Sequence, residues 1–387
     1  MRGVRAWGPL AVAVWTTAAW GCGREAGTAT AELGIVDSAG VRIVTNAWVA
    51  EGERPAWRLG DQPLLSVGDP TPSPEYELYQ VGRARSFPDG RVLVTVAGEE
   101  VRIFGPDGGH LVSFGRRGEG PGEFQALFDA LPAGDTAVQT LDLGLGRVLV
   151  FDAATGEQTD SRMLDVLYET TAGVAPLSDG GFAGLTRFAD PGVGDSARLV
   201  VRWGPGGSPV DTLGVVARPR GPGDQENVQE WFFARFWTTA NGDRVWAGWG
   251  DVIDIRRFHR DGGLEQIVRA DMPGTPVDEE MGATAPDPPP GWRLHLPERL
   301  PLYGKLLASP SGWLWVRRYM SNIDQQRTPH RTWDVYDPEG RLAAVIEVPM
   351  EAVLTEVGDD WVLGVFPNEL EVEVVRKLPI LKEPAGP

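Results

Sequence analysis

Short apolar stretches separated by tight-turn residues recur along the chain from about residue 34 onward. In one pattern a turn precedes an apolar strand, and in a second pattern two strands flank a turn. The turns carry Asp-Gly, Asn-Gly or Gly-Gly pairs, which allow the positive backbone angles that tight hairpins need. Because β-branched and aromatic residues flank these turns, the pattern predicts antiparallel β-structure throughout.

The two patterns alternate and each occurs six times. The turn-and-strand copies are Phe87–Val96, Leu131–Leu141, Pro176–Thr186, Thr239–Trp249, Ser309–Tyr319 and Thr355–Val365. The hairpin copies are Val101–Gly115, Val148–Leu164, Leu199–Gly214, Ile255–Val268, Trp333–Val348 and Val372–Leu378, the last broken off after one strand. One copy of each gives four strands in about 45 residues, the size of a propeller blade. The sequence therefore predicts an all-β fold, a six-bladed β-propeller over residues 34–387.

The broken sixth copy lacks its outer strand. An open ring would leave two unpaired sheet edges, so the missing strand has to come from elsewhere in the chain. The segment Trp57–Gly68 precedes the first complete unit and aligns with an outer strand. We therefore predict that Leu64–Gly68 pairs beside Val372–Leu378 and closes the ring.

Three stretches carry a resemblance to a known group. The loop Gly115–Phe124 (GRRGEGPGEF), the IFGPDGG before it and the opening Val36–Val44 (VDSAGVRIV) resemble bacterial six-bladed β-propellers related to NHL repeats. The likeness covers nearly all of the chain after its N-terminal segment. It implies the fold much more strongly than any activity.

The N-terminal segment has the pattern of an export signal. Arg2 and Arg5 precede an almost uncharged run, Ala6–Gly21, which is too short to span a membrane comfortably. The run ends at Cys22 and resembles the bacterial lipoprotein signal, which implies removal of residues 1–21 and lipidation of Cys22. An ordinary secretory signal with a stray cysteine is the alternative. Residues 22–33 are small and polar, as expected of a tether, and the expected location is the cell envelope, at the outer membrane or in the periplasm.

Composition narrows the function classes. The 50 glycines and 32 prolines make up 82 of 387 residues, too many for a helical bundle. The net charge of −18 argues against nucleic-acid binding, which is favoured by a positively charged surface. The single cysteine excludes an internal disulfide, and four scattered histidines give no metal cluster. No Gly-x-Ser-x-Gly elbow is present, which argues against a serine hydrolase of that type. We predict no catalytic residue and no metal ligand.

Binding is expected on the face where blades are connected. In a propeller, the loops that join one blade to the next share a face, and three connections are unusual: Arg116–Glu123, Val215–Thr238 and Asp271–Ala308. They should cluster over one mouth of the central channel, where function concentrates on loops held by a rigid scaffold. We expect Asp271–Ala308, with its run of prolines, to be mainly a solvated loop; a cover over the channel mouth or a partner surface is the alternative.

Two groups of residues are candidates for ligand binding. In the first, the side chains could hold an anion, although the glycines around them also suit a tight crossing with a purely structural role. This group comprises Arg116, Arg117, Glu119 and Glu123, with Arg220 in a similar glycine-proline sequence. In the second, Trp231, Arg235 and Trp237 could form a stacking platform for a sugar ring or a peptide. Trp246 and Trp249 are expected in a buried strand.

The expected function is that of a lipid-anchored, extracytoplasmic, non-enzymatic propeller. It would bind a protein, a peptide or a glycan through its loop-rich face and contact the membrane through its anchor. The alternative, implied by fold relatives, is a calcium-dependent lactonase- or esterase-like or lyase-like enzyme. That alternative requires several carboxylate or amide side chains converging on the channel from different blades. No cofactor is expected, with calcium left open.

Overall fold

β-Strands and tight turns form nearly all of the fold. The computed structural model describes residues 34–49, 54–68, 73–163, 175–177, 179–185, 197–205, 208–217 and 225–382. Cys22, Arg220, the signal segment and the tether lie outside these residues. Within the described chain the helical segments are α1 (Glu279–Gly282), α2 (Asn322–Arg327) and a 3-10 turn at Pro74–Tyr76.

The strands follow the two alternating patterns of the sequence. In chain order they begin with β1 Gly34–Ser38, β2 Val41–Asn46, β3 Ala56–Leu59, β4 Leu65–Val67, β5 Ala84–Ser86, β6 Val92–Val96, β7 Glu100–Phe104, β8 His110–Phe114, β9 Leu127–Ala133, β10 Ala137–Asp142, β11 Arg147–Asp152, β12 Gln158–Met163, β13 Ala175–Pro176 and β14 Phe182–Leu185. They continue with β15 Ala197–Trp203, β16 Pro209–Ala217, β17 Val228–Glu230, β18 Phe236–Asn241, β19 Arg244–Trp249, β20 Ile253–His259, β21 Leu264–Ala270, β22 Arg293–His295, β23 Tyr303–Ala308, β24 Leu314–Arg318, β25 His330–Tyr336, β26 Leu342–Pro349, β27 Val353–Val357, β28 Trp361–Pro367 and β29 Glu373–Lys382.

Antiparallel groups of consecutive strands repeat along the chain. Strands β5–β8, β9–β12 and β13–β16 form three separate four-stranded sheets. Strands β18–β21 form a fourth group, to which β1 and β2 are added, and β17 pairs with β22 apart from the rest. Strands β23–β26 and β27–β29 are merged by β3 into one nine-stranded sheet that also includes β4. The all-β prediction is confirmed and the arrangement is propeller-like, whereas the count of six blades stays a prediction because two groups share a sheet.

Burial along the strands explains this layering. Strand β6 is buried along its whole length, as expected where a sheet has neighbours on both faces. Strand β12, at the outer edge of its sheet, alternates between partly buried and exposed residues, the pattern of a half-solvated strand. Burial thus falls from the inner strand β6 to the edge strand β12, whereas the last strands β21, β26 and β29 of other groups are covered by β2, β3 and β4.

The hydrophobic core is divided into clusters, each lying between two consecutive strand groups. One cluster joins β5–β8 to β9–β12, and others follow in chain order between each further pair of groups. The final cluster returns to the start, because Leu363 and Val365 of β28 pack in one cluster with Val92 and Val94 of β6. The packing therefore links the C-terminal strands directly to the first complete group.

The predicted N-to-C pairing is confirmed. Strand β4 pairs antiparallel with β29, with Leu65 opposite Lys377 and Val67 opposite Val375. This pairing supplies the outer strand that the last group lacks. It falls within the predicted segments, so the broken copy in the sequence correctly located the missing partner.

The N-terminal strands also make contacts that the sequence did not predict. Strand β2 runs parallel to β21 at the edge of the β18–β21 group, and β3 lies between β26 and β29. The side chain of Asn46, at the end of β2, donates to the carbonyls of Arg269 (3.0 Å) and Gly340 (2.9 Å) and accepts from the amide of Leu342 (2.8 Å). Because Asn46 is buried, these bonds fasten β2 to two strand groups at once.

A buried ion pair fixes the chain between β2 and β3. The guanidinium of Arg54 lies 3.1 Å from the carboxylate of Asp334 on β25, which is fully buried. Arg318 binds the same carboxylate through two nitrogens, at 2.8 and 3.0 Å. The ring of Trp48 lies 3.8 Å from the Arg54 guanidinium carbon. This arrangement anchors Trp48 and Arg54 to the β23–β26 group.

Candidate functional site

The two long insertions pack together into a cap, defined here as residues 225–235 and 271–301. Strand β17 from the first insertion pairs in parallel with β22 from the second. Met281 and Leu300 are buried in one cluster with Phe232. The expectation of a mainly solvated loop agrees with residues 271–300, which are mostly exposed or half-buried, but Met281 and Leu300 gain burial by packing against the first insertion.

A cavity of about 350 Å³ opens beneath the cap. It is bordered by the starts of β18 and β23, the end of β24, the start of β25 and helix α2. The lining residues are Trp231, Phe232, Phe233, Arg235, Trp237, Tyr303, Gly304, Arg317, Arg318, Tyr319, Met320, Asn322, Gln325 and Arg331. The structure thus brings together three of the predicted binding residues, Trp231, Arg235 and Trp237.

Aromatic side chains form one wall of this pocket. Trp231 and Trp237 are half-buried, so part of each ring remains available to the cavity. The guanidinium carbon of Arg235 lies 5.1 Å from the ring centre of Phe233, within cation–π range. As expected from the sequence, Trp246 and Trp249 are instead buried in strand β19.

Arginines form the opposite wall. Arg317 donates to the carbonyl of Gly304 (2.9 Å), while Arg331 donates to the carbonyl of Ala352 (3.3 Å) and contacts the sulfur of Met350. Among the described residues, no carboxylate lies within ion-pair distance of Arg317 or Arg331. Burial, together with the nearby Arg331, lowers the pKa of Arg317 to about 10. Two cations therefore share a pocket wall without a neutralising acid.

Lys305 adds a third cation behind this wall. It follows Gly304 of the pocket lining, is half-buried, and donates through Nζ to the carbonyl of Leu354 (2.6 Å). The pKa of Lys305 lies well below its ordinary value. The main cause is burial, and the positive charges of Arg83, Arg317 and other nearby arginines lower it further.

Two acids near Lys305 are already engaged. Asp129 is buried and lies 2.8 Å from Arg85 and 3.7 Å from Arg83. Glu356 accepts from the amide of Ser86 (2.7 Å), and burial raises its pKa against the effect of Arg85. These two acids are therefore engaged by Arg83, Arg85 and Ser86, and no ion pair joins either of them to Lys305.

The predicted glycine-proline loop has partners of its own. Glu123 accepts from the amide of Gly120 and from Arg116, and these two bonds lower the pKa of Glu123. Arg117 forms a β-bridge with Phe124, which is fully buried.

The backbone of this loop is also held in place. Arg147 donates to the carbonyl oxygens of Glu119 and Glu123, at 3.4 and 2.8 Å. Gly115 has φ +90°, and a Cβ there would lie 2.4 Å from the ring of Phe124. None of the candidates Arg116, Arg117, Glu119 and Glu123 lines the pocket beneath the cap.

Sequence reasoning missed the pocket residues that come from β23–β25 and α2, among them Arg317, Arg331 and Gln325, and it missed Lys305 behind them. The available signal was the Val316-Arg317-Arg318 run, which places two cations at the end of an otherwise apolar strand copy. Lys305 and Arg331 carry no comparable signal, because each is a single charged residue in a strand. Their proximity depends on the register between strands, which single-strand patterns do not contain.

Two further searches concern metals and membranes. Over the parts of the chain that the structure describes, no group of three or more His, Cys, Asp or Glu side chains could hold a metal ion. In the same described segments, no helix has both the length and the apolar character needed to cross a bilayer.

The sequence matches no protein-family model and no curated protein. Among solved structures, it is similar to one described as an exported protein from Bacteroides fragilis, at 14% identity and TM-score 0.53, covering 88% of this chain and all of that one. It also matches a quinonprotein alcohol dehydrogenase-like protein from Bacteroides thetaiotaomicron (12% identity, 93% of this chain and 70% of that one, TM-score 0.39). A third match is BamB from Moraxella catarrhalis, at 10% identity and TM-score 0.34, covering 77% of this chain and 83% of that one. The first of these likenesses carries the argument, and at 14% identity it shows the fold.

Proposed function

We propose that this protein is a lipid-anchored, extracytoplasmic, six-bladed β-propeller, related to NHL-repeat propellers, that binds a glycan in the pocket beneath the cap. The observation that carries the proposal is the meeting of Trp231, Arg235 and Trp237 in one cavity. Trp231 and Arg235 come from a connection between strand groups, the type of loop expected to carry function, and Trp237 lies at the start of β18.

The six-blade count is supported by packing. Six groups of strands can be traced if β4 is counted as the fourth strand of the β27–β29 group. One hydrophobic cluster lies between each consecutive pair, and the cluster containing Val92 and Leu363 joins the last group to the first. A cyclic series of this kind buries the apolar faces of all six groups, which no single four-stranded sheet could do alone.

The envelope location rests on the N-terminal pattern. The basic start, the short apolar run and Cys22 at its end support export followed by lipidation. Similarity in fold to a protein described as exported agrees with this location. In this proposal the lipid holds the domain at the membrane, and the cap presents the pocket to the periplasm or the cell exterior.

A glycan suits the chemistry of the pocket better than other ligands. Aromatic faces such as those of Trp231 and Trp237 bury the apolar C–H face of a sugar ring, while Asn322 and Gln325 offer polar groups to its hydroxyls. The cavity of about 350 Å³ lies at the lower end of the range of ligand pockets and fits about one or two sugar rings. Aromatic and arginine side chains bind and orient such a ligand without supplying an acid–base pair, so we propose binding rather than catalysis.

The direct test is an oligosaccharide array probed with the full-length chain in detergent. We expect a restricted set of bound glycans, with affinity reduced by about tenfold or more in Trp231→Ala and Trp237→Ala, because each loses a stacking surface. Trp292→Ala is the matched control, since Trp292 is exposed on the cap and does not line the pocket. Melting temperatures of all variants separate loss of binding from loss of folding.

Two outcomes would reject the glycan proposal. One is that no oligosaccharide binds. The other is that Trp237→Ala retains wild-type affinity for every glycan that does bind. Binding to a peptide array through the same two tryptophans would replace the glycan with a peptide.

A further inference from the structure

Three cationic side chains lie on one face of the β23–β26 group. Lys305 on β23 is the direct cross-strand partner of Arg317 on β24. Arg317 is in turn opposite Trp333 on β25, and Arg331 lies two residues before Trp333. Because side chains two residues apart on a strand point to the same side, the three form a cationic row across three strands.

Among the residues that the structure describes, no carboxylate forms an ion pair with the cationic row. The hydrogen bonds of Lys305, Arg317 and Arg331 go to main-chain carbonyls, with one contact to a methionine sulfur. No carboxylate within the described segments comes within 4 Å of the row, although Glu351 lies near enough to Arg331 to favour its charged form. Like charges directly opposite each other on a sheet destabilise it, so this arrangement costs folding energy.

The cationic row opens into the glycan pocket. Arg317 and Arg331 both line the cavity, and Gly304, which precedes Lys305, lines it as well. Arg235 and Arg318 are also in the lining, and the lining contains no Asp or Glu. Arg318 is paired with Asp334, but in a chain of net charge −18 the other three arginines of the lining still form a local excess of positive charge.

We propose that the cationic row is an anion subsite, and that the glycan bound beneath the cap carries an oxyanion on its sugar ring. The inference rests on the proposed function and specifies its ligand class. The oxyanion is a uronate carboxylate, a sulfate ester or a phosphate ester, since guanidinium groups bind all three through paired N–H donors. Arg317 and Arg331 would contact the anion, and Lys305 would add charge from behind.

The test compares oligosaccharides that share one backbone and differ in charge. Neutral, uronate-bearing, sulfated and phosphorylated forms are titrated into the full-length protein by calorimetry. We expect the matching acidic form to bind at least about tenfold more tightly than the neutral form. Arg317→Gln and Arg331→Gln should each remove most of this preference, because each should weaken binding of the acidic form much more than binding of the neutral form. Arg341→Gln is the control, an exposed arginine on the turn before β26 of the same sheet.

Inorganic sulfate gives a second readout that needs no sugar. We expect sulfate to raise the melting temperature of the wild type more than chloride does at equal ionic strength, and to do so less in Arg317→Gln. Equal affinity for acidic and neutral glycans in the wild type would overturn the inference and leave the proposed function intact. Sulfate stabilisation through Arg317 without any glycan binding would keep the anion subsite and reject the proposed function. Absence of both effects would reject both.

Discussion

Lys305 and Arg317 stand directly opposite each other on neighbouring antiparallel strands, so two cations face one another on the same side of a sheet. Such a pair weakens the sheet, and Arg331 on the next strand adds to the repulsion. Local arrangements that reduce stability are typical of binding sites. The repelling arginines Arg317 and Arg331 line the same pocket as the aromatic wall opposite them.

The first prediction concerns Lys305. Replacing it with Met should stabilise the ligand-free protein at pH 7, because the wild type has to bury an ammonium group near four arginines. The pKa of Lys305 is lower in the folded state than in the unfolded state. The unfolded state therefore binds more protons between the two pKa values, and wild-type stability rises with pH across that window.

The advantage of Lys305→Met should accordingly be largest below the folded-state pKa and should shrink as the pH approaches 10.5. Urea unfolding of both proteins from pH 7 to pH 10 measures it. A stability difference that does not change with pH would show that the charge of Lys305 is not what destabilises the sheet.

The second prediction concerns Asp334. Asp334→Ala should cost about 3–5 kcal/mol of unfolding free energy, because it leaves Arg54 and Arg318 near a buried site without their shared carboxylate. Glu280→Ala is the control, since its ion pair with Arg327 is exposed on both sides and should contribute at most about 1 kcal/mol. Chemical denaturation compares the two, and equal losses would argue against an anchoring role for the buried pair.

The third prediction tests how β2 is attached. Asn46→Ala removes three buried hydrogen bonds to strands of two different groups, and we expect a loss of about 2–4 kcal/mol. The neighbouring Thr45→Ala changes an exposed residue of the same strand and should be nearly neutral. Amide hydrogen exchange in β1 and β2 should accelerate in Asn46→Ala and not in Thr45→Ala. Unchanged protection in Asn46→Ala would indicate that the pairing with β21 is enough to hold β2 in place.

The fourth prediction concerns the glycine-proline loop. Gly115→Ala should cost at least about 2 kcal/mol, because it combines a left-handed backbone with a Cβ placed against Phe124. Gly40→Ala is the control: its φ of +84° is close to that of Gly115, but its Cβ would meet open space, so it should cost about 1 kcal/mol. Thermal or urea unfolding measures the loss of unfolding free energy in each variant, and the difference between the two losses is the cost of the contact with Phe124. Equal losses would mean that Phe124 moves aside.

Much of the fold could be predicted from the sequence because its signals are local. Hairpin turns and apolar strands repeat along the chain, with two intervals lengthened by the insertions, and the broken last copy pointed to the β4–β29 pairing. The placement of β3 between β26 and β29 could not be predicted in the same way. A single short strand such as Ala56–Leu59 fits many sheet edges, and the choice depends on long-range packing of Trp57 and on the Arg54–Asp334 contact.

The candidate site was partly predictable for a related reason. Trp231, Arg235 and Trp237 are close in sequence, within an insertion rich in aromatic residues, so their shared location was visible as a cluster. Lys305 and Arg331 are 26 residues apart on separate strands and meet through sheet register. The packing of the two insertions against each other was not predicted, because the proline-rich composition drew attention away from the apolar residues Met281 and Leu300.

The most direct test of the central claim is a crystal structure of the full-length protein with the tightest-binding acidic oligosaccharide from the array. The account predicts a sugar ring stacked against Trp237 or Trp231, with its oxyanion within hydrogen-bond distance of Arg317 and Arg331. A ligand bound at the Arg116–Glu123 loop, or bound beneath the cap with its acidic group turned away from these arginines, would contradict it.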